Sequence, residues 1–176
     1  MKTLPDGITD VPVNNRDYFK NKKYFSLFLL KKIDTAAIYV ETYSYRSFEK
    51  DFSPFNNKIS HRGDGWRNVY KFYSNGCMNL FAFKDDYEIK KEDIDPERGG
   101  LRGVYYLDDK NNIKTDFFGI TGYSFICTRL YGVNTRIIEV KGDTLLIKNP
   151  SDLTFVEGYV KRKIPEDWLI YKADWQ

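Results

Sequence analysis

Between Trp66 and Ile164 tight turns interrupt the chain at short intervals, and this punctuation constrains the fold more than any other feature. Ser74-Asn75-Gly76 separates two apolar runs, and Asn and Gly accept the positive φ that a tight hairpin turn demands. Asp108–Asn112 and Lys141-Gly142-Asp143 mark further turns. The intervening runs predict eight strands: Trp66–Tyr73, Cys77–Phe83, Leu101–Leu107, Ile113–Gly119, Tyr123–Tyr131, Thr135–Val140, Thr144–Lys148 and Thr154–Ile164. In the first, Trp66, Tyr70 and Phe72 share one side and Arg67 and Lys71 the other. Successive hairpins with loops of two to five residues build an antiparallel up-and-down meander. About eight such strands close into a barrel, because closure removes exposed strand edges.

Composition agrees with an all-β chain. There are 14 Tyr, 13 Phe and 3 Trp among 176 residues, and aromatic rings suit a pleated, half-buried surface. Alanine, the best helix former, occurs only at Ala36, Ala37, Ala82 and Ala173. We read residues 1–176 as one domain: 1–65 an N-terminal extension with added strands, 66–164 the barrel and 165–176 a tail. Ala36–Tyr45 has the alternation of a strand, whereas Tyr24–Ile33 fits helix or strand equally. Both would join the barrel or lie across its mouth. Residues 46–65 and the charged stretch Lys84–Gly100 read as loops, the latter as a flap over one end. Pro165–Leu169 reads as a short helical turn opened by proline.

The net charge of +3, with 28 basic and 25 acidic side chains interleaved, argues against nucleic acid as a partner. The most apolar run, Phe25–Leu30, falls far short of the roughly 20 residues of a membrane span. No hydrophobic leader follows Met1, so two expectations stand: a cytoplasmic protein if Met1 is native, or a trimmed mature form.

Catalytic chemistry finds little purchase. The single histidine, His61, sits in a polar loop without the partners of a nucleophilic triad. One histidine and two distant cysteines do not make a zinc site, and no cofactor is expected. Cys77 and Cys127 fall on strands that are not neighbours, so both are expected as free, packed thiols. Asp93, Asp95 and Glu97 alternate as in a calcium loop, but Pro96 and the late Gly99 break the pattern, and we expect no bound metal. Glu139 and Glu157 are the carboxylates with a claim to an inward strand position.

Gly65-Trp66 opens the first regular strand and Arg162 stands near the end of the last. In this the chain resembles the calycin superfamily, the lipocalin-like barrels, and most closely small cell-envelope lipocalin-like proteins of bacteria, some of them lipoproteins. The resemblance covers residues 66–164. It departs in its glycines, which stand one and three residues before Trp66, and in the late position of the motif. It implies that Arg162 packs across Trp66, that the barrel binds a small apolar ligand, and that the protein belongs to the cell envelope. From the residues alone Arg162 is either inward and paired with Trp66 or outward and solvated, depending on which face of the last strand meets the core.

Two functions follow as expectations. The first is non-enzymatic binding of a small apolar or amphipathic molecule in a pocket lined by Trp66, Tyr70, Phe72, Phe117 and Tyr106, with Arg102 as an anion partner. The second is a protein-interaction module, an inhibitor or immunity-type protein, using a tyrosine-rich surface on 36–45 or the 84–100 loop.

Overall fold

The computed structural model describes residues 1–61, 65–124 and 128–175. Cys127 lies outside these residues. Eleven strands occur among the described residues. A small ribbon pairs β1 (Lys2–Thr3) with β2 (Asp10–Val11). The main sheet contains β3 (Ala37–Ser47), β4 (Pro54–His61), β5 (Trp66–Phe72), β6 (Cys77–Lys84), β7 (Leu101–Leu107), β8 (Ile113–Tyr123), β9 (Arg129–Lys141), β10 (Thr144–Asn149) and β11 (Asp152–Lys163). Its order runs β11-β10-β9-β8-β7-β6-β5-β3, and β11 pairs back onto β3, closing an eight-stranded antiparallel barrel. β4 is appended to the far half of β3, beyond the short stretch where β5 pairs with it.

The barrel is therefore made of eight strands as predicted, but one of them differs in origin. Tyr123–Tyr131 and Thr135–Val140 are not two strands. The reversal falls after Tyr123, where Ser124 N donates to Thr128 O at 2.8 Å, and β9 then runs unbroken through Gly132-Val133-Asn134. Those residues pair with Gly119, Phe118 and Phe117 of β8, so cross-strand neighbours override the weak strand propensity of Gly132 and Asn134. The eighth barrel strand is β3, which lies outside 66–164.

One mouth of the barrel is stoppered by residues 20–31, which form two 3-10 turns. Leu29 of the second turn, Phe25 before it and Ile33 after it all pack on the barrel interior. Inside, aromatic rings interlock. Tyr70 meets Tyr159 edge-on at 5.0 Å, Phe72 meets Tyr105 at 5.1 Å, and Phe25 meets Tyr105 at 5.3 Å.

Parts of the outer wall are covered as well, and further aromatic rings pack there. Phe19, Tyr73, Cys77, Val104, Tyr106, Phe118, Ala173 and Trp175 form a second cluster beneath the C-terminal tail. Cys77 is free and buried, and burial raises its pKa. Ile89 and Ile94 of the 84–100 segment pack on Val69 and Phe81, so that segment lies along the wall. Asp93 accepts from Lys90 N and from the Tyr87 hydroxyl, and Asp95 from Glu97 N; these carboxylates shape the loop. No helix among the described residues is long and apolar enough to cross a membrane.

A third outer cluster, Tyr45, Leu146 and Val156, lies beside Lys148, which is itself buried. Its ammonium donates to Phe48 O at 2.6 Å and to Asp51 O, and sits 4.9 Å from the Phe52 ring centroid. One cation thus fastens the 48–52 loop to the barrel. Lys148→Met keeps the stem but strands those carbonyls. It is expected to cost about 2 kcal/mol in urea denaturation and to speed amide exchange in residues 48–52.

Candidate functional site

At the end of the barrel opposite the stopper the described residues leave a cleft. Its geometry follows from where two strands part. β6 pairs with β5 as far as Lys84, but its pairing with β7 ends at Leu80↔Leu101, because the chain leaves there into the 84–100 segment. The gap is a cleft of about 530 Å³. Trp66, Asn68, Leu80 and Leu101 line it from the barrel, and Ile8 and Arg98 from the covering segments. The Trp66 ring is 56% exposed at this rim.

Below the rim the interior turns polar. Glu41, on the same strand as Tyr39, accepts from Asn68 N at 3.1 Å and Asn68 Nδ2 at 2.8 Å. The Tyr159 hydroxyl donates to Glu157 at 3.1 Å. The Arg136 guanidinium lies 5.5 Å from the Phe117 ring centroid. Burial raises the Tyr70 hydroxyl far above its ordinary value; Glu157 and Glu41 add to that and Arg136 opposes it. Glu41, Glu157 and Arg136 thus act on the buried Tyr70 hydroxyl within the barrel.

The residues expected to line a pocket separate into three places. Trp66 stands at the rim. Tyr70, Phe72 and Phe117 belong to the packed interior. Arg102 and Tyr106 point outward, not into the barrel. Arg102 donates to Glu97 at 3.0 Å and lies 5.0 Å from the Trp175 ring centroid, and the Tyr106 hydroxyl donates to Asp116 at 3.2 Å. The reason is the pleat: Tyr105 of the same strand takes the inward place, so its even-numbered neighbours face out.

The pairing of Trp66 with Arg162 is corrected by register. Arg162 lies opposite Ile38, which lies opposite Lys71, five residues along β5 from Trp66. Five extended residues span about 17 Å, so the two sit at different heights of the wall. Tyr159 faces inward on β11, so Arg162 falls on the other face, and Ile38, opposite Arg162, belongs to an outer cluster.

Glu157 occupies an inward place, but Glu139 pairs across from Leu146 of an outer cluster. Glu41, Asn68 and Arg136 escaped the sequence reading. The available signal was that Glu41 is two residues from Tyr39, and Asn68 two from Tyr70, on otherwise aromatic strand faces. His61 is exposed at the end of β4. No group of three or more metal-ligating side chains occurs among the described residues. Compared with protein-family models, curated proteins and solved structures, the chain matches none.

Proposed function

We propose that this chain is a non-enzymatic binding protein of lipocalin-like character that holds a small amphipathic molecule in the mouth of its barrel. The observation that carries the reading is the cleft between β6 and β7, of a size suited to one small ligand, with Trp66 at its rim and polar groups beneath. An apolar body would rest on Trp66, Leu80 and Leu101, and a polar end would reach Asn68 or Arg98. The packed waist argues for a ligand at the mouth and not deep in the barrel, since Tyr70, Phe72 and Tyr105 leave almost no surface exposed.

The test uses 8-anilinonaphthalene-1-sulfonate as the amphipathic probe. Saturable fluorescence enhancement is expected, with energy transfer from tryptophan, and Trp66→Ala is expected to weaken binding about tenfold. Binding that is absent, or that Trp66→Ala leaves unchanged, would overturn this site.

A second reading, a protein-interaction surface, is favoured by exposed rings near β4. Phe48 and Phe55 lie 5.1 Å apart, and with Ile59 each is about half exposed or more. This patch is not where the sequence pointed. Most of Ala37–Ser47 is covered on both faces, and the 84–100 segment spends its apolar residues on the wall.

A further inference from the structure

On the outer wall, away from the mouth, the C-terminal tail spans a second cavity of about 490 Å³. Its floor is the end of β5 and the turn after it, and its roof is residues 169–174. Two floor groups are unusual. Lys71 is 4% exposed, and its ammonium donates to Thr35 O and, at 3.3 Å, to Phe72 O. An ammonium carries three protons, so one remains after those two bonds. The next residue on the same strand face is Tyr73, 7% exposed, whose hydroxyl has no hydrogen-bond partner. The Lys71 ammonium lies 5.5 Å from the Tyr73 ring centroid. A buried polar group left unpaired is costly, and here the residue with the unpaired hydroxyl and the residue with the spare ammonium proton both line one cavity.

Lys71 and Lys172 are cations lining the cavity. Of the carboxylates, Asp174 pairs with Lys22 at 3.0 Å, Asp34 accepts from Ala36 N at 2.8 Å and lies 3.7 Å from Lys161, and Asp95, whose charge reaches the Tyr73 hydroxyl, accepts from Glu97 N at 2.9 Å. Leu169 and Tyr171 supply apolar walls. We infer that this cavity is a binding site for a small organic carboxylate, its two oxygens taken by the Lys71 ammonium and the Tyr73 hydroxyl, its carbon body lying against Leu169 and Tyr171. The site is separate from the barrel mouth and does not depend on what binds there. Burial lowers the Lys71 pKa to about 8, and the Asp34 carboxylate only partly opposes it; a bound carboxylate would oppose it further.

The experiment titrates the full chain with benzoate and with octanoate by calorimetry, with benzamide as the neutral isostere. Saturable binding of at least one acid is expected, with benzamide much weaker. Tyr73→Phe removes one hydroxyl and no packing volume of note, and is expected to weaken the acid about tenfold or more. Because Lys71→Met risks the fold, Lys71 is read in the unsubstituted protein: the acid should protect it from amine acetylation, followed by peptide mass spectrometry. Protection is read at Lys71 itself, so acid held at the barrel mouth does not contribute to it, which separates this site from the mouth. The inference is overturned if neither acid binds, if Tyr73→Phe binds equally well, or if Lys71 acetylates at the same rate with acid present.

Discussion

Trp175→Ala is expected to destabilise the protein by about 3–5 kcal/mol, a large share of the stability of a chain this size. Trp175 is 1% exposed although it stands in an irregular tail. Its indole Nε1 donates to Gly103 O at 2.6 Å, its ring meets Tyr73 edge-on at 6.4 Å, and Arg102 lies over its face. Removing it opens a cavity over Cys77 and Val104, frees the Gly103 carbonyl and leaves Arg102 with less cover. Other contacts also hold the tail: Asn75 Nδ2 donates to Ala173 O at 2.6 Å, Lys22 pairs with Asp174, Lys91 pairs with Asp167, and Trp168 and Tyr171 pack on the wall. Urea denaturation followed by circular dichroism reads the loss. Trp175→Phe, which keeps most of the volume, should lose less. A change under about 1 kcal/mol for the alanine variant would mean that the tail does not pin the wall.

Cooperative unfolding by about pH 12 is the second large effect expected. Burial pushes up the hydroxyls of Tyr39, Tyr70, Tyr73, Tyr105 and Tyr159, and carries Tyr45 to about 12. In the unfolded chain these phenols ionise near pH 10. A group whose pKa is raised by folding contributes stability below its unfolded pKa and loses it as pH climbs above that value. Each such tyrosine forfeits about 1.4 kcal/mol per pH unit above 10, and Tyr70, Tyr105 and Tyr159 together about 4. Lys71 acts oppositely. Its pKa falls from 10.5 to about 8 on folding, so stability rises between those values, by on the order of 3 kcal/mol. The expected profile climbs above pH 8, turns over near 10 and falls steeply beyond. Absorbance at 295 nm should show most tyrosines ionising together with the loss of circular dichroism. Independent, non-cooperative ionisation near pH 10 would mean that the rings are not enclosed.

The two ends of the barrel show how differently sequence and structure speak. Asn75-Gly76 marks its hairpin locally, since Gly76 adopts φ 85° and no neighbour is needed to explain it. Phe25, Leu29 and Ile33 lie in a run that fits helix or strand equally, and a run that short is decided by whether a barrel mouth waits to receive it. The same holds for the candidate site. Trp66 was legible as the head of a strand. Its place at a rim depends on β6 and β7 parting at Leu80 and Leu101, and nothing in either segment marks that separation.

Antiparallel pairing, aromatic faces, most turns and an all-β barrel of eight strands are written locally, because alternation and turn chemistry act over a few residues. Which strand closes the barrel, which faces look inward and where space remains depend on packing between distant segments. Both faces of most strands here are apolar and aromatic, so the pleat alone could not say inside from outside. That choice belonged to distant segments, the 20–31 turns, the 84–100 segment and the tail ending in Trp175, which cover the surfaces the barrel does not enclose.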